Sequence, residues 1–515
     1  MSTAPDYASR VIEDEEHGLR VVKNAEIETR HGLLRADVLL PLGATGPLPV
    51  LMSMSPYGKD LFWGDKEPES YAKIPESNRH PYMVYELPDP VQWTREGYAI
   101  VRVDSPGTGA SPGTVDVWSA RDMEMYSDAI EWAAAQPWST GRVGILGISY
   151  YSGSAVMVAA LKPPHLAAIV AWEVGGDMYA PTRQGGIFNT FFLRSWFDGW
   201  VVANQHGRGE EAPDALAAKR VDYPDQALAH EWIDEFWAGR VAEIEQIEVP
   251  FLTAANVTSA QLTLRENLDL FQRAASPHKH LRVQSGSHIE PFYTPEAFEM
   301  QRAFLARWLQ GDASQPELPR VTTVIRNGDE FDWRTDTQWP LSGTEWRTLH
   351  LDAAELALGA EAPSAEAAAS FENAPDPTAE ILQQQAEESE AAGVSIYMDP
   401  AVIFEHLNRS RAEHALEQPW RVVFSSPPLD EDLTVVGPIT LTLDVDPSEP
   451  DADLFVAVRD VAPDGTETYY YGVDNPETPV ALGWLRLSHA AEDEELTSEH
   501  WPVHHHRGPA ILGPG

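Results

Sequence analysis

The stretch RVGILGISYYSG, residues 142–153, runs an apolar strand into a serine and leaves it through the apolar run GSAVMVAAL. A strand, a sharp turn and a helix form the setting that lifts a serine hydroxyl to the C-terminal edge of a sheet, where it can act as a nucleophile. Gly147 lets the backbone bend and Ser149 takes the tip. The N–H of Tyr150 opens the new helix and points where an oxyanion would form. The motif departs from the common form, because Tyr151 stands two residues after the serine and the next glycine is Gly153. A hydroxyl is a poor nucleophile unaided and needs a base. His288, in VQSGSHIEPFY, lies at the end of an expected strand, 139 residues downstream. A loop histidine there is where the base belongs when the chain order is serine, acid, histidine.

Other clusters carry less chemistry. HHH, residues 504–506, does not read as a metal site: in a strand only the first and third share a face, and no cysteine or nearby carboxylate completes a ligand set. The glycine-rich DSPGTGASPG (104–113) lacks the lysine and the spacing of a phosphate loop. Neither a metal nor any other cofactor is therefore expected. In IFNTFFLRSWFDGW (187–200), Phe188, Phe191, Phe192 and Trp196 either wall an apolar substrate pocket or knit a helical cap to the core.

Composition narrows the class. The 515 residues carry 36 basic and 80 acidic side chains, a net charge of −44, which repels a phosphate-rich partner and argues against nucleic acid. There is no cysteine, hence no disulfide framework and no thiol nucleophile. The start, MSTAPDYASRVIEDEEHG, is polar and acidic rather than a secretory signal, and SAVMVAALKPPHLAAIVAW is broken by KPPH before it could span a membrane. These features suggest a cytoplasmic protein with a small-molecule substrate and no membrane partner. A homo-oligomer is compatible with the sequence, which fixes no oligomeric state.

Strands are expected over 20–31, 33–42, 48–55, 97–104, 142–147, 166–172, 250–255 and 280–286. Between several of them lie helices, one capped by Ser119 with Met123, Tyr126, Ile130 and Ala133 at helical spacing. Continuous apolar strands alternating with helices mean a parallel sheet covered on both faces. Residues 178–246 interrupt the alternation and read as a helical cap inserted in a core of 15–177 and 247–315. From 316 to 515 the texture becomes short strands and turns, an all-β sandwich holding an Ala/Glu/Pro-rich excursion over 352–394.

Taken together, SPYGKD (55–60), GISYYSG, GSHIEPFY, the long run VVGPITLTLDVDPSEPDADLFVAVRDVAPDG and GWLRLSH resemble the CocE/NonD α/β-hydrolases. That group includes cocaine esterase, α-amino-acid ester hydrolases and X-Pro dipeptidyl peptidases. The resemblance implies an α/β-hydrolase fold with a cap and a C-terminal jelly roll. It implies a serine hydrolase that cleaves esters or amides through an acyl-enzyme. By the same resemblance Tyr57, in the Pro-Tyr segment, lends its O–H to the oxyanion hole beside the Tyr150 N–H.

The sequence departs from the family in three places. Where cocaine-esterase-like members carry Gly-Trp-x-Asp, this chain has AANVTS (254–259), with Thr258 at the aspartate's position. Glu173, at the tip of the preceding strand in AWEVGGDMY, is therefore expected to supply the acid that holds His288, with Asp177 as the alternative. Pro106 replaces the family's arginine in the 104–113 loop. The chain also stops at ILGPG, while relatives continue through further strands, so either the jelly roll is trimmed or the sequence is a piece. Three other activities fit these residues: dipeptidyl-peptidase action, acyl transfer to an alcohol, and an inert core whose jelly roll binds a carbohydrate or other ligand.

Overall fold

In the computed structural model, which describes residues 7–189, 192–327, 330–371, 421–470, 472 and 478–510, eleven strands form one mixed sheet. They are β1 (Arg10–Asp14), β2 (Leu19–Thr29), β3 (Gly32–Pro41), β4 (Leu48–Ser55), β5 (Ala99–Asp104), β6 (Ser139–Ile148), β7 (Leu166–Trp172), β8 (Phe251–Asn256), β9 (Lys279–Gln284), β10 (Val321–Asn327) and β11 (Glu330–Asp336). Their spatial order is β1-β2-β3-β5-β4-β6-β7-β8-β9-β10-β11. From β5 to β10 every neighbouring pair is parallel, and antiparallel strands finish both edges.

Alternation along the buried strands fills two apolar layers. Val50, Met52 and Met54 of β4 enter one layer, and Leu51 enters the other. The helices Ala120–Ala134 and Tyr150–Ala160 cover the first face, and Pro295–Leu305 covers the second. As expected, Ser119 caps the first of these helices, its hydroxyl accepting the Asp122 N–H at 3.2 Å. The architecture is an α/β-hydrolase fold, with short helical segments such as Tyr179–Thr182, Phe192–Trp196 and Tyr223–Ala229 between β7 and β8.

The sheet does not stop where the sequence suggested the core would end, at residue 315. β10 pairs in parallel with β9 through Leu281–Val283, and β11 folds back on β10 as a hairpin. The short apolar alternation VTTVIR reads equally as a sandwich strand or a sheet-edge strand, and pairing decides between them. Two compact units result: one comprises 1–339, 438–460 and 468–515, the other 340–437 and 461–467. In the second, His350–Asp352 pairs antiparallel with Ala357–Gly359. In the first, Asp453–Val458 pairs antiparallel with Ala481–Arg486. The expected strand LTVVGPITLTLDVD (433–446) forms no ladder among the described residues and leaves Leu441, Leu443 and Val445 exposed. Most of the expected excursion, from 372 to 394, lies outside the described residues.

The histidine run has a structural role. His506 meets the buried His489 with their Nδ1 atoms 3.0 Å apart, and the His489 ring stacks on Trp232 at 3.9 Å. Burial first, then the neighbouring histidines, pushes His506 down to about 3. The unfolded ring takes up a proton near ~6.5, so the folded state binds fewer protons between these values. Stability from this group is therefore complete above about 6.5 and is lost as pH falls toward 3. We expect the thermal unfolding midpoint to drop between pH 7 and pH 4, and His506→Asn to flatten that slope. An unchanged slope in the variant contradicts the assignment.

Candidate active site

Strand register places the site. β6 and β7 run in parallel with Ile148 beside Trp172, so Ser149 and Glu173 leave the sheet side by side. The Ser149 N–H donates to the Trp172 carbonyl at 2.9 Å, and the Glu173 N–H to the Ala254 carbonyl at 2.9 Å. Asn256, last residue of β8, sits opposite Gln284, last residue of β9. Four polar side chains thus line the C-terminal edge of adjacent parallel strands, and His288 follows β9 by one short loop.

Ser149 has φ 58° and ψ −116°, a backbone conformation that costs a non-glycine residue on the order of 1–3 kcal/mol. The turn is held tight from both sides. A Cβ at Gly147 would lie 2.5 Å from that of Tyr151, and one at Gly153 would meet Met178 at 2.9 Å. Small residues at 147 and 153 therefore do the work of the usual elbow glycines, while Tyr151 fills the space between them. Glu173 (φ 54°) and Glu86 (φ 63°) are also in the left-handed region. Strain of this kind persists only where surrounding contacts over-determine it, and three such residues meet around this site.

Glu173 is fully buried, and its carboxylate accepts three hydrogen bonds. Oε2 accepts from His288 Nδ1–H at 2.8 Å. Oε1 accepts from Asn256 Nδ2 at 3.0 Å and from Gln284 Nε2 at 2.9 Å. Thr258, which the sequence resemblance sets at the family's aspartate position, acts on this array one step removed. Its hydroxyl donates to Asn256 Oδ1 at 2.8 Å, turning the amide so that the NH2 group faces Glu173. Asp177, the alternative acid, is spent elsewhere: it accepts the N–H groups of Tyr179 at 2.9 Å and Ala180 at 3.2 Å.

A second carboxyl meets the ring from the other side. Glu86 Oε1 lies 3.1 Å from His288 Nε2, and the Glu86 side chain is 4% exposed. Its own carbonyl accepts the Ile148 N–H at 3.1 Å, which ties residue 86 to the residue before the serine. Burial opposes the charge on His288, but hydrogen bonds and charge from Glu173, and then from Glu86, outweigh it and push the ring up to about 10. Burial also raises Glu86 above the usual carboxylate range, partly offset by His288 and by the Ser149 hydroxyl. Nothing in YELPDP marks Glu86 as functional, and Asn256 and Gln284 read as ordinary strand ends. Only the fold brings them together.

The Tyr57 ring packs at 5.5 Å from Tyr150 and at 5.9 Å, edge-on, from Tyr151. Trp196 Nε1–H donates to its hydroxyl at 2.8 Å, which leaves the phenolic proton for another acceptor. Burial first, and then the charge of Glu86, raises Tyr57 well above its ordinary value, so the group stays an O–H donor. Tyr150 N–H is the first of its helix and has no acceptor within that helix. The residues proposed as pocket wall part company. Trp196 stacks on Trp118 at 5.0 Å. Phe192 is 41% exposed. Phe188 lines a cavity of about 510 Å3 with Arg183, Leu228 and Arg486, whose lining does not include Ser149, Glu173 or His288. Phe191 lies outside the described residues. The 104–113 loop wraps the Asp104 carboxylate, which accepts the Lys59 N–H at 2.7 Å and the Ala110 N–H at 2.8 Å.

An α/β sheet carrying a strained serine at its C-terminal edge, next to the carboxylate that holds an imidazole, defines the class of serine hydrolases. The comparisons agree. Residues 32–290 match the model of the X-Pro dipeptidyl-peptidase (S15) family and 308–504 that of the X-Pro dipeptidyl-peptidase C-terminal non-catalytic domain, so the chain belongs to that family. It is 24% identical over 506 residues to the cocaine esterase of Rhodococcus sp. (strain MB1 Bresler), covering 86% of this chain and 81% of that one. A CocE/NonD family hydrolase from Staphylococcus aureus superposes with a TM-score of 0.75 at 27% identity, covering 98% of this chain and 82% of that one. An α-amino acid ester hydrolase shares the fold, with a TM-score of 0.61 at 16% identity over 99% of this chain and 87% of that one.

The amide donors to Glu173 can be tested directly. Asn256→Leu and Gln284→Leu each remove one donor from a fully buried carboxylate. Each is expected to cost about 1.5–3 kcal/mol in denaturant unfolding, the range for a hydrogen bond to a charged group, because Oε1 keeps its other amide donor. Losses below the error of the measurement contradict that account of the site.

Proposed function

We propose that this hydrolase cleaves carboxylic esters through an acyl-enzyme, with Ser149 as nucleophile, His288 as base and Glu173 as the acid that steadies the ring. The observation that carries the reading is the register that sets the strained Ser149 beside Glu173, with His288 Nδ1–H donating to that carboxylate at 2.8 Å. Ser149 attacks the carbonyl carbon, its proton passes to the imidazole side, and the Tyr57 O–H and Tyr150 N–H receive the developing oxyanion. The proton then returns to the leaving alcohol, and water resolves the acyl-enzyme by the same steps in reverse. The likeness to a cocaine esterase over most of both chains supports esters as the substrate class.

No helix among the described residues is long and apolar enough to cross a membrane, and none of them groups three or more histidine and carboxylate side chains into a metal site. The mechanism calls for neither.

Wild type should react with a fluorophosphonate at Ser149 and Ser149→Ala should not. Equal absence of labelling in both overturns the reading. Tyr57→Phe should lower kcat on p-nitrophenyl esters by roughly 100- to 1,000-fold with little change in KM, the cost of one oxyanion donor. Graded p-nitrophenyl esters against amino-acid p-nitroanilides decide between ester and amide. Faster turnover of the anilides overturns the ester assignment and favours a peptidase.

A further inference from the structure

His288 has a carboxyl on each ring nitrogen. A serine hydrolase base needs its Nε2 open toward the nucleophile, yet here Glu86 Oε1 occupies that direction at 3.1 Å. The Glu86 carboxyl also lies near enough to the Ser149 hydroxyl for the serine to help hold its charge. Its second oxygen, Oε2, is buried and has no partner at full hydrogen-bonding distance. A buried carboxyl oxygen without a partner is costly, and its placement calls for a proton or a donor that arrives during the reaction. The backbone is strained at the same residue and pinned to Ile148, so the carboxyl is held beside the elbow rather than left to swing.

We propose that Glu86 is the proton relay between Ser149 and His288. The step rests on the reading of Ser149 as nucleophile. One proton is shared between Glu86 Oε1 and His288 Nε2 in the resting site. As Ser149 Oγ bonds to the ester carbonyl carbon, the serine proton moves to Glu86 Oε2 and the shared proton settles on Nε2. The Oγ–H bond breaks, the carbonyl π bond opens onto the oxyanion, and the array finishes with a neutral Glu86 acid and a charged ring. Collapse of the tetrahedral intermediate returns one proton to the leaving oxygen and restores the start. Glu173 accepts the Nδ1–H hydrogen bond throughout.

The surroundings suit a carboxyl that spends part of the cycle neutral. Glu86 is faced by Glu173 and by the phenols of Tyr57, Tyr85, Tyr151 and Tyr293, all raised by burial and so all O–H groups at neutral pH. A second negative charge close by and low-polarity rings on the other sides both favour uptake of a proton.

The test uses neutral p-nitrophenyl esters and a neutral fluorophosphonate, so that recognition of a charged substrate plays no part. Glu86→Gln keeps the shape of the side chain but cannot carry the proton. It should slow kcat and the labelling rate by about 100-fold or more, within the range for acid–base catalysis, with KM moved less than about threefold. A folded Glu86→Gln that labels as fast as wild type overturns the relay, and so does a defect confined to the KM of cationic amino-acid esters, which marks an amine-binding carboxylate instead. Wild-type protein supplies a readout that survives a misfolded variant. Its labelling rate in mixtures of H2O and D2O should bow below a straight line, because two protons move in one step. A straight line overturns the relay. Absence of labelling at Ser149 in wild type indicts the hydrolase reading itself, not the role of Glu86.

Discussion

The carboxylate of Glu173 is sealed from water and makes three hydrogen bonds, and the rest of the site is arranged around that fact. An ionised carboxylate in such a place is tolerated only when its lone pairs are met. Its donors come from three positions beyond or at the ends of β8 and β9: an asparagine, a glutamine and the loop histidine. Parallel pairing puts those ends level with one another, so a slip of one residue in any of these strands would turn a donor to the wrong face. The array also supplies a carboxylate to His288 with a threonine at 258, the position where the resemblance sets the family's aspartate. Thr258 serves that carboxylate indirectly, its hydroxyl orienting the Asn256 amide that donates to it.

Much of this was legible in the sequence, for physical reasons that differ from residue to residue. Ser149 announced itself because the strand, turn and helix around it are local and strongly patterned. Glu173 could be picked out as the carboxylate that meets His288 because a buried strand tip is an unusual place for a carboxylate and the expected aspartate was missing. Asn256, Gln284 and Glu86 were not legible. The first two look like ordinary ends of apolar strands, and their meaning depends on register across β8 and β9. Glu86 reaches His288 across 202 positions of sequence through a loop with no periodicity of its own. The main sheet runs on past residue 316 for a related reason: a short apolar alternation carries no record of its partner, and β10 pairs with β9 at the edge of that sheet.

Trp196 belongs to the segment inserted between β7 and β8, whereas Tyr57 belongs to the loop that follows β4. Their single hydrogen bond joins the insertion to the phenol that would greet the oxyanion. The indole occupies one lone pair of the phenolic oxygen and so settles where its proton can point. Change in the inserted segment would then be felt at the reacting carbonyl as well as at the substrate's outer reaches. In such an architecture, diversification of the cover is not free to proceed independently of the chemistry beneath it, and variants that reshape the entrance would carry a rate penalty unless the indole stays where it is.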